Sequence, residues 1–304
     1  MKEEVLEGLR RLPKTTPAKY FYDERGSALF EEICALPEYY PTRTEKALLT
    51  NNANELLRSL GRELCLIELG AGNCDKGRLL LQTGAVSTFV PVDISTEHLR
   101  TAGLDIANSF AGISVHAVAM DFLAGLGRLE ALLPEAGRRV LLYAGSSIGN
   151  FDPLEACALL SQCRAVLGDD GALLIGFDLK KDRNVLVRAY NDAQGVTAAF
   201  NLNLLARFNR ELDADFDLNA FRHVAWFNEE FSRIEMHLES AKRQEVRVAG
   251  ERVAFEAMER IHTENSYKYG VDGFDALAGD AGFRRMALRI DGARYFAVGL
   301  YGVA

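Results

Sequence analysis

The chain alternates short apolar runs with amphipathic helical segments up to about residue 180, and this rhythm predicts an α/β fold built on a parallel sheet. Strands are predicted at residues 64–67, 89–93, 114–118, 139–143 and 172–179. Helices are predicted at residues 44–60, 76–81, 96–109 and 153–167, the third of them capped by Ser95. A helix at residues 271–281 and two strands at 284–290 and 295–302 return the chain to the same sheet.

The rhythm breaks after residue 180. Residues 184–212 are predicted to be helical throughout, and the charged segments that follow alternate like antiparallel strands. Antiparallel strands do not belong to the winding of a parallel sheet, so residues 180–269 are predicted to form an inserted lobe. Before the sheet, we expect helices at residues 2–11 and 28–35, the second capped by Ser27, and an irregular aromatic segment at residues 39–42.

Composition and charge restrict the class of partner. Among 304 residues, 48% are hydrophobic and 26% are charged, which is typical of a globular enzyme. The net charge of −8 and the absence of a basic run argue against nucleic acid, because phosphate binding requires a basic face. No apolar run is long enough to cross a bilayer and no signal peptide is evident, so we expect a cytoplasmic protein with no membrane partner.

Cysteine and histidine give no sign of a metal site. The five cysteines are scattered without C-x-x-C spacing, and we expect reduced thiols. The five histidines lack the H-x-x-x-H spacing of a helical metal site, so no metal ligand is predicted.

The first strand leads into a turn that carries candidate chemistry. Glu68, Gly70 and Gly72 follow one another at alternate positions, and Asp93 ends the next strand. Glycines here predict a tight turn whose backbone a ligand can approach, and an acid at the second strand tip can hold an adenosine by its ribose hydroxyls. The third glycine of a dinucleotide fingerprint is missing. The pattern therefore favours S-adenosylmethionine over a dinucleotide, and an ordinary βα turn remains the alternative.

Later strands also end in polar residues. Asp121 and Phe122 suit an adenine, since the carboxylate can accept from the exocyclic amine while the ring packs on the base. Asn150 could hold a zwitterion without adding charge. A helix cap for Asp121 and an ordinary turn residue for Asn150 are equally compatible with the sequence. The same holds for the four tyrosines near the N-terminus, which could cover a small core or line a pocket: Tyr20, Tyr22, Tyr39 and Tyr40.

Several longer segments together carry a family resemblance. YFYDERGSALFEEI, LPEYYPTRTE, ELGAGN, GSSIGNF, AYNDAQGVTAAFN, SRIEMHL and IHTENS occur in this order. The set resembles the histidine-specific Nα-methyltransferases of the ergothioneine pathway. The resemblance implies a Rossmann-like, seven-stranded methyltransferase sheet with a second lobe formed by the N-terminal segment and an inserted α+β region. The implied S-adenosylmethionine-binding domain comprises residues 43–179 and 270–304, and the implied substrate-binding lobe comprises residues 1–42 and 180–269.

The resemblance also implies roles for individual residues. Contacts to S-adenosylmethionine are implied for Tyr22, Gly70, Lys76, Asp93, Asp121 and Phe122. The substrate's α-amino and carboxylate groups are implied to bind Asn150 and Tyr190, and its imidazole to lie among Tyr39, Met236, Glu264 and Ser266. Asn150, Tyr190 and Tyr39 are the predicted catalytic residues.

The implied activity is S-adenosylmethionine-dependent trimethylation of the α-amino group of L-histidine to hercynine, the first step of ergothioneine biosynthesis. We expect a monomer. One alternative is that the same scaffold methylates another aromatic amino acid or a thiolated histidine. Another is a non-catalytic S-adenosylmethionine-binding protein, which would be expected to lack Asn150 or Tyr190, although this chain has both.

Overall fold

The structure, a computed structural model, describes all 304 residues. Its α-helices are α1 (Lys2–Arg10), α2 (Glu24–Ala35), α3 (Tyr40–Arg58), α4 (Asp75–Leu81), α5 (Thr96–Ser109), α6 (Phe122–Leu129), α7 (Pro153–Leu167), α8 (Arg183–Tyr190), α9 (Val196–Glu211) and α10 (Val271–Asp280). Short 3₁₀ helices cover Ala18–Phe21, Glu130–Leu132, Ser147–Asn150 and Leu218–Ala220. None of the helices combines the length and the apolar character needed to traverse a bilayer.

The strands are β1 (Lys14–Thr15), β2 (Leu64–Leu69), β3 (Val86–Asp93), β4 (Ser114–Val115), β5 (Val118–Ala119), β6 (Arg139–Tyr143), β7 (Ala172–Asp178), β8 (Phe221–Asn228), β9 (Arg233–Ser240), β10 (Gln244–Val248), β11 (Glu251–Phe255), β12 (Arg260–Tyr267), β13 (Phe283–Ile290) and β14 (Phe296–Val303).

The chain divides into two compact units. The N-terminal unit contains Met1–Tyr40 and Lys181–Tyr267, and the sheet unit contains Pro41–Lys180 and Lys268–Ala304.

The sheet unit is built on strands in the order β13-β14-β7-β6-β2-β3-β4, with the short β5 also paired to β3. Strands β4, β3, β2, β6 and β7 run parallel, and β14 is antiparallel to β7. This arrangement confirms the predicted α/β fold with seven strand positions, the outermost of which is divided between β4 and β5. Since parallel strands share a direction, the turns after β2, β3, β5 and β6 all leave the same edge of the sheet.

Both faces of this sheet are buried, as the near-continuous apolar strands predict. Ile67 and Leu69 of β2 belong to one hydrophobic cluster, whereas Leu64 and Leu66 belong to the cluster on the other face. The alternation follows from the two-residue period of a strand. Helices α6, α7 and α10 supply the first cluster, and α3, α4 and α5 supply the second.

The N-terminal unit contains a four-stranded sheet in the order β1-β12-β9-β8 and a separate hairpin of β10 and β11. The first strand, β1, pairs parallel with β12, while β9 pairs antiparallel with both β12 and β8. Helix α9 packs against α2 and against strands β8 and β9. The antiparallel character predicted for the inserted segment is therefore observed.

Several local predictions were wrong. Asp23, and not Ser27, caps α2, and its carboxylate accepts a hydrogen bond from the Gly26 amide at 2.7 Å. Tyr40 already begins α3, so residues 40–42 are helical rather than irregular. Residues 184–212 form two helices, because the chain turns between Tyr190 and Val196, where Gly195 has a φ of +74° and the Asp192 carboxylate accepts from the first amides of α9. Ser95 occupies the position before α5 but makes no capping hydrogen bond with its side chain.

A buried ion pair lies in the sheet unit where β7 ends. Lys268 Nζ is 2.9 Å from Asp178 Oδ2, and both side chains are completely buried. Beside this pair the backbones are joined, because the Tyr269 amide donates to the Asp178 carbonyl at 2.9 Å. The pair therefore fixes the return of the chain to the end of β7.

Replacing Lys268 tests this pair. We expect Lys268→Met to lower the free energy of unfolding by about 3–5 kcal/mol, because Asp178 stays buried after losing its cationic partner. The matched control is Glu55→Gln, which breaks the exposed pair with Arg289 and should change stability by less than about 1 kcal/mol. Urea denaturation followed by circular dichroism measures both. If the two substitutions lowered the free energy of unfolding equally, the structural role assigned to the Lys268–Asp178 pair would be contradicted.

Candidate active site

The turn after β2 presents open backbone beside a fixed carboxylate. Gly70 and Gly72 have φ angles of +66° and +51°, and an added Cβ would meet no atom within 4 Å at either position. The Gly72 amide donates to Asp93 Oδ2 at 2.9 Å, and the Ser95 amide donates to Asp93 Oδ1 at 2.9 Å. Asp93 is therefore held next to the turn by two backbone amides and keeps capacity to accept from further hydroxyl groups.

Helix α4 lies very close to the strands beneath it. An added Cβ at Gly77 would come within 2.4 Å of Glu68 Oε2 and 2.8 Å of the Phe89 ring, so only glycine fits there. The Gly77 amide donates to Glu68 Oε1 at 3.2 Å. In a dinucleotide fingerprint the third glycine provides this close packing. In this chain Gly77, which lies farther along the sequence, allows the same close packing of helix against strand.

Glu68 is a buried carboxyl group at the end of β2. Burial raises its pKa to about 8, and the nearby Lys76 cation opposes part of that rise. Its Oε2 atom is buried with no hydrogen-bond partner. An ionised carboxylate would leave this oxygen desolvated, which is the physical reason for the raised pKa.

Lys76 is held by a residue that the sequence interpretation did not single out. Lys76 Nζ lies 2.8 Å from Glu45 Oε2, and the Glu45 side chain is 1% exposed. Glu45 also accepts from the Gly145 amide, at 3.0 Å and 2.9 Å to its two oxygens. One signal could have revealed it, since Glu45 lies on the same helical stripe as the buried Leu48 and Leu49.

Asp121 and Phe122 follow β5. Asp121 Oδ1 accepts from the Leu123 and Ala124 amides at 3.0 Å and 3.3 Å, so this residue is the N-cap of α6. A carboxylate can accept about four hydrogen bonds, so capping is compatible with a ligand contact. The Phe122 ring packs edge-on against Tyr143, with ring centroids 6.1 Å apart.

Asn150 ends the 3₁₀ helix that follows β6 and is half-buried. The turn before it is fixed by Ser146, whose Oγ accepts from the Asp178 amide at 2.9 Å and whose φ is +58°. The sheet unit thus carries a set of predicted residues at strand ends, turns and helix starts along one edge of its sheet: Gly70, Lys76, Asp93, Asp121, Phe122 and Asn150.

The remaining predicted residues lie in the N-terminal unit, including Tyr22, which was predicted to contact S-adenosylmethionine. Tyr22 packs edge-on against Phe30 and Phe200, and Tyr39 packs edge-on against Phe30 and Tyr190. Tyr22 and Tyr39 therefore belong to one aromatic cluster.

The tyrosines of this cluster carry hydroxyl groups that can form hydrogen bonds. The Tyr190 hydroxyl and Ser266 Oγ are 2.7 Å apart. Tyr39 is buried, and burial together with the neighbouring Tyr190 raises the pKa of its hydroxyl well above the ordinary value. The Tyr39 hydroxyl therefore keeps its proton at neutral pH.

Met236 and Glu264 are neighbours across β9 and β12, as their pairing register shows. A bulge between His262 and Glu264 shifts the register here, and the hydroxyl of the intervening Thr263 donates to the Met236 carbonyl at 3.0 Å. Met236 is buried and Glu264 is half-buried.

The structure also brings together three potential metal ligands that chain spacing did not reveal. Glu235, His237 and His262 place donor atoms within 4.8 Å of one another, because His237 and His262 are directly paired across β9 and β12. The two imidazoles are stacked, with centroids 4.6 Å apart and planes at 17°. Arg233 already pairs with the Glu235 carboxylate at 2.7 Å. His237 Nε2 lies 3.3 Å from Glu235 Oε2, and His262 Nε2 lies 3.1 Å from the Glu264 carbonyl oxygen, so these donor atoms already have partners within the protein.

A family model described as histidine-specific methyltransferase, SAM-dependent, matches residues 1–303. The chain belongs to this family. The resemblance found in the sequence is thereby confirmed, and so is the dependence on S-adenosylmethionine.

Named relatives span the whole chain. Histidine N-alpha-methyltransferase of Mycolicibacterium smegmatis is 43% identical over 306 residues, covering 99% of this chain and 94% of that protein. The protein of the same name from Mycobacterium tuberculosis is 40% identical with the same coverage. Ergothioneine biosynthesis protein 1 of Neurospora crassa is 31% identical over 286 residues, covering 90% of this chain and 32% of that longer protein.

The sheet unit fits the methyl donor of this family. Open backbone at Gly70 and Gly72 allows close approach, and Asp93 offers carboxylate oxygens suited to ribose hydroxyls. Lys76 offers a cation, which suits the carboxylate of the donor's amino-acid part. The roles of these individual residues stay predictions.

The raised pKa of Glu68 predicts a dependence of stability on pH. Between pH 4.5, the ordinary pKa of this group, and about pH 8, the native protein holds a proton that the unfolded chain releases, so the free energy of unfolding falls as pH rises. We expect Glu68→Gln to remove this contribution. Its stability relative to the wild type should therefore increase from about pH 5.5 to about pH 8.5 in urea denaturation. Parallel pH dependences of the two proteins would contradict the burial of an ionisable Glu68.

Proposed function

We propose that the protein transfers methyl groups from S-adenosylmethionine to the α-amino nitrogen of L-histidine, three times in succession, giving hercynine for ergothioneine biosynthesis. The observation that carries this proposal is the match of the histidine-specific family to residues 1–303, with named histidine N-alpha-methyltransferases 40–43% identical over almost the full chain. The expected monomeric state and cytoplasmic location stay predictions.

The bound donor supplies a methyl group already activated as a sulfonium, so the residues of this chain need only position the amine and manage its proton. We assign the orientation of the amino-acid backbone to Asn150 and Tyr190. The amide of Asn150 adds no charge, and the Tyr190 hydroxyl is already oriented by Ser266 at 2.7 Å. Orientation of this kind can contribute several kcal/mol to a reaction between two bound groups.

The substrate amine arrives as an ammonium and must lose a proton before each transfer. Tyr39 keeps its own proton at neutral pH, because burial raises its pKa well above the ordinary value. We therefore propose that the Tyr39 hydroxyl accepts the ammonium proton through a lone pair while it donates its own proton to a solvent water, rather than acting as a phenolate base. Water is the alternative first acceptor.

Selection for histidine is assigned to Glu264. A carboxylate facing an imidazole N–H favours histidine over apolar amino acids of similar shape, which offer the carboxylate no N–H donor. The cross-strand neighbour Met236 provides apolar surface for the ring. The same argument disfavours phenylalanine, whose ring has no hydrogen-bond donor, whereas tryptophan and tyrosine carry their donors at different positions on larger side chains.

Mass spectrometry of the product tests the proposed activity. We expect incubation with L-histidine and S-adenosylmethionine to give products with one, two and three added methyl groups, ending at the trimethylated form. Parallel reactions with tryptophan and with a thiolated histidine serve as controls. Methylation of a control substrate and not of histidine would replace the proposal with that substrate, and no methylation at all would favour a non-catalytic binding protein.

Substitution of Glu264 tests the basis of selectivity. We expect Glu264→Ala to raise KM for histidine by about 10- to 100-fold, equivalent to about 1–3 kcal/mol, because the imidazole loses its charged acceptor. The dissociation constant of S-adenosylhomocysteine, measured by calorimetry, should change by less than about twofold. Glu264→Gln keeps one acceptor oxygen and should show a smaller loss. Equal weakening of both ligands would remove Glu264 from the selectivity role.

A further inference from the structure

Glu45 is an acidic residue inside the sheet unit, at a place where burial of a charge is costly. It lies on α3 with its side chain 1% exposed. An ionised carboxylate in such surroundings is stable only when cations or hydrogen-bond donors compensate its desolvation. The groups that contact the Glu45 carboxylate therefore indicate its role in the structure.

Two contacts satisfy the carboxylate, and they belong to different strand tips. Lys76, at the start of α4, places its Nζ 2.8 Å from Oε2. The Gly145 amide, in the turn after β6, donates to both oxygens at 3.0 Å and 2.9 Å. An added Cβ at Gly145 would approach Lys76 Nζ to 3.2 Å, so these two partners are also close to each other.

The sheet itself makes room for this carboxylate. Gly176 is in the middle of β7, and an added Cβ there would come within 1.8 Å of Glu45 Oε1. A strand interior ordinarily favours a side chain that packs, and glycine weakens it. Glycine at residue 176 thus permits Glu45 to reach the edge where Lys76 and Gly145 lie.

We propose that Glu45 is a positioning residue that acts on both ligands through its two partners. Through Lys76 it fixes the cation that receives S-adenosylmethionine, and through the Gly145 amide it fixes the turn that carries Asn150. This inference rests on the proposed function for the role of Asn150 and on the predicted contact with S-adenosylmethionine for the role of Lys76.

Calorimetry with S-adenosylhomocysteine tests the Lys76 part without requiring turnover. We expect Glu45→Gln to weaken binding about tenfold, because Lys76 loses its ionic partner and must be ordered on binding. The matched control is Glu55→Gln, the same chemical change on the same helix in an exposed pair, which should bind within about twofold of the wild type. Wild-type affinity in Glu45→Gln would overturn the proposal.

A double-mutant cycle separates positioning from a general loss of stability. If Glu45 acts through Lys76, then Glu45→Gln added to Lys76→Met should weaken binding by less than about twofold further. If the double variant instead lost affinity by the product of the two single fold-losses, the proposal would be overturned. Where Glu45→Gln does not fold, Glu45→Asp keeps the charge but shortens the reach, and the same cycle applies to it.

Steady-state kinetics test the Gly145 part. At saturating S-adenosylmethionine we expect Glu45→Gln to raise KM for histidine several-fold, whereas Glu55→Gln should leave it unchanged. An unchanged KM for histidine would overturn this part. A wild-type protein that binds S-adenosylhomocysteine but does not methylate histidine would refute the proposed function, and the calorimetric cycle would still decide the role of Lys76.

Discussion

One buried carboxylate connects the turns on which the sheet unit depends. Parallel strands bring several polar turns to the same edge of the sheet. The amides and charges of these turns need hydrogen-bond or ionic partners at that edge, because the apolar faces of the sheet offer none. Glu45 does this for Lys76 and for the Gly145 amide, while Asp93 does it for the amides of Gly72 and Ser95. The edge is therefore held in shape by acids that accept from backbone and lysine donors, before any ligand is considered.

In the N-terminal unit, the corresponding constraint is the register of an antiparallel sheet. The bulge between His262 and Glu264 changes which residues face each side, and it sets Glu264 opposite Met236. His262 supports the bulge, since its Nε2 lies 3.1 Å from the Glu264 carbonyl. Burial lowers the pKa of His262, which keeps its ring neutral and suited to the stack with His237. A local irregularity thus places the residue to which we assign substrate selection.

Much of the fold could be predicted from the sequence because the pattern of apolar residues determines it. The predictions of strand 139–143 and helices 96–109 and 153–167 agree with the observed bounds, since the apolar periodicity is strong there and Asp152 with Pro153 marks the start of the last helix. The break within residues 184–212 does not follow from the apolar pattern, because it depends on the left-handed Gly195 and on the Asp192 carboxylate, which accepts from the first two amides of α9. Ser27 was chosen as a cap by residue type alone, whereas the bond is made by Asp23.

The site could be predicted only where chemistry follows directly from position along a strand. Asp93 is the last residue of β3 and Asn150 lies in the segment that follows β6, so the sequence pattern predicts both as candidates. Glu45 lies in a helix of ordinary appearance, and its partners at Lys76 and Gly145 are brought to it only by the fold. The closeness of His237 and His262 likewise depends on strand pairing, which no spacing along the chain expresses.

We expect the turns that leave one edge of the sheet unit to hold S-adenosylmethionine. Hydrogen–deuterium exchange of the wild-type protein with and without S-adenosylhomocysteine is the sharpest test, because the amides that donate to Asp93 and Glu45 lie in those turns. Ligand addition should slow exchange in peptides covering residues 69–77, 93–97 and 144–150. Unchanged exchange in all three segments under saturating ligand, with protection elsewhere in the chain, would contradict it.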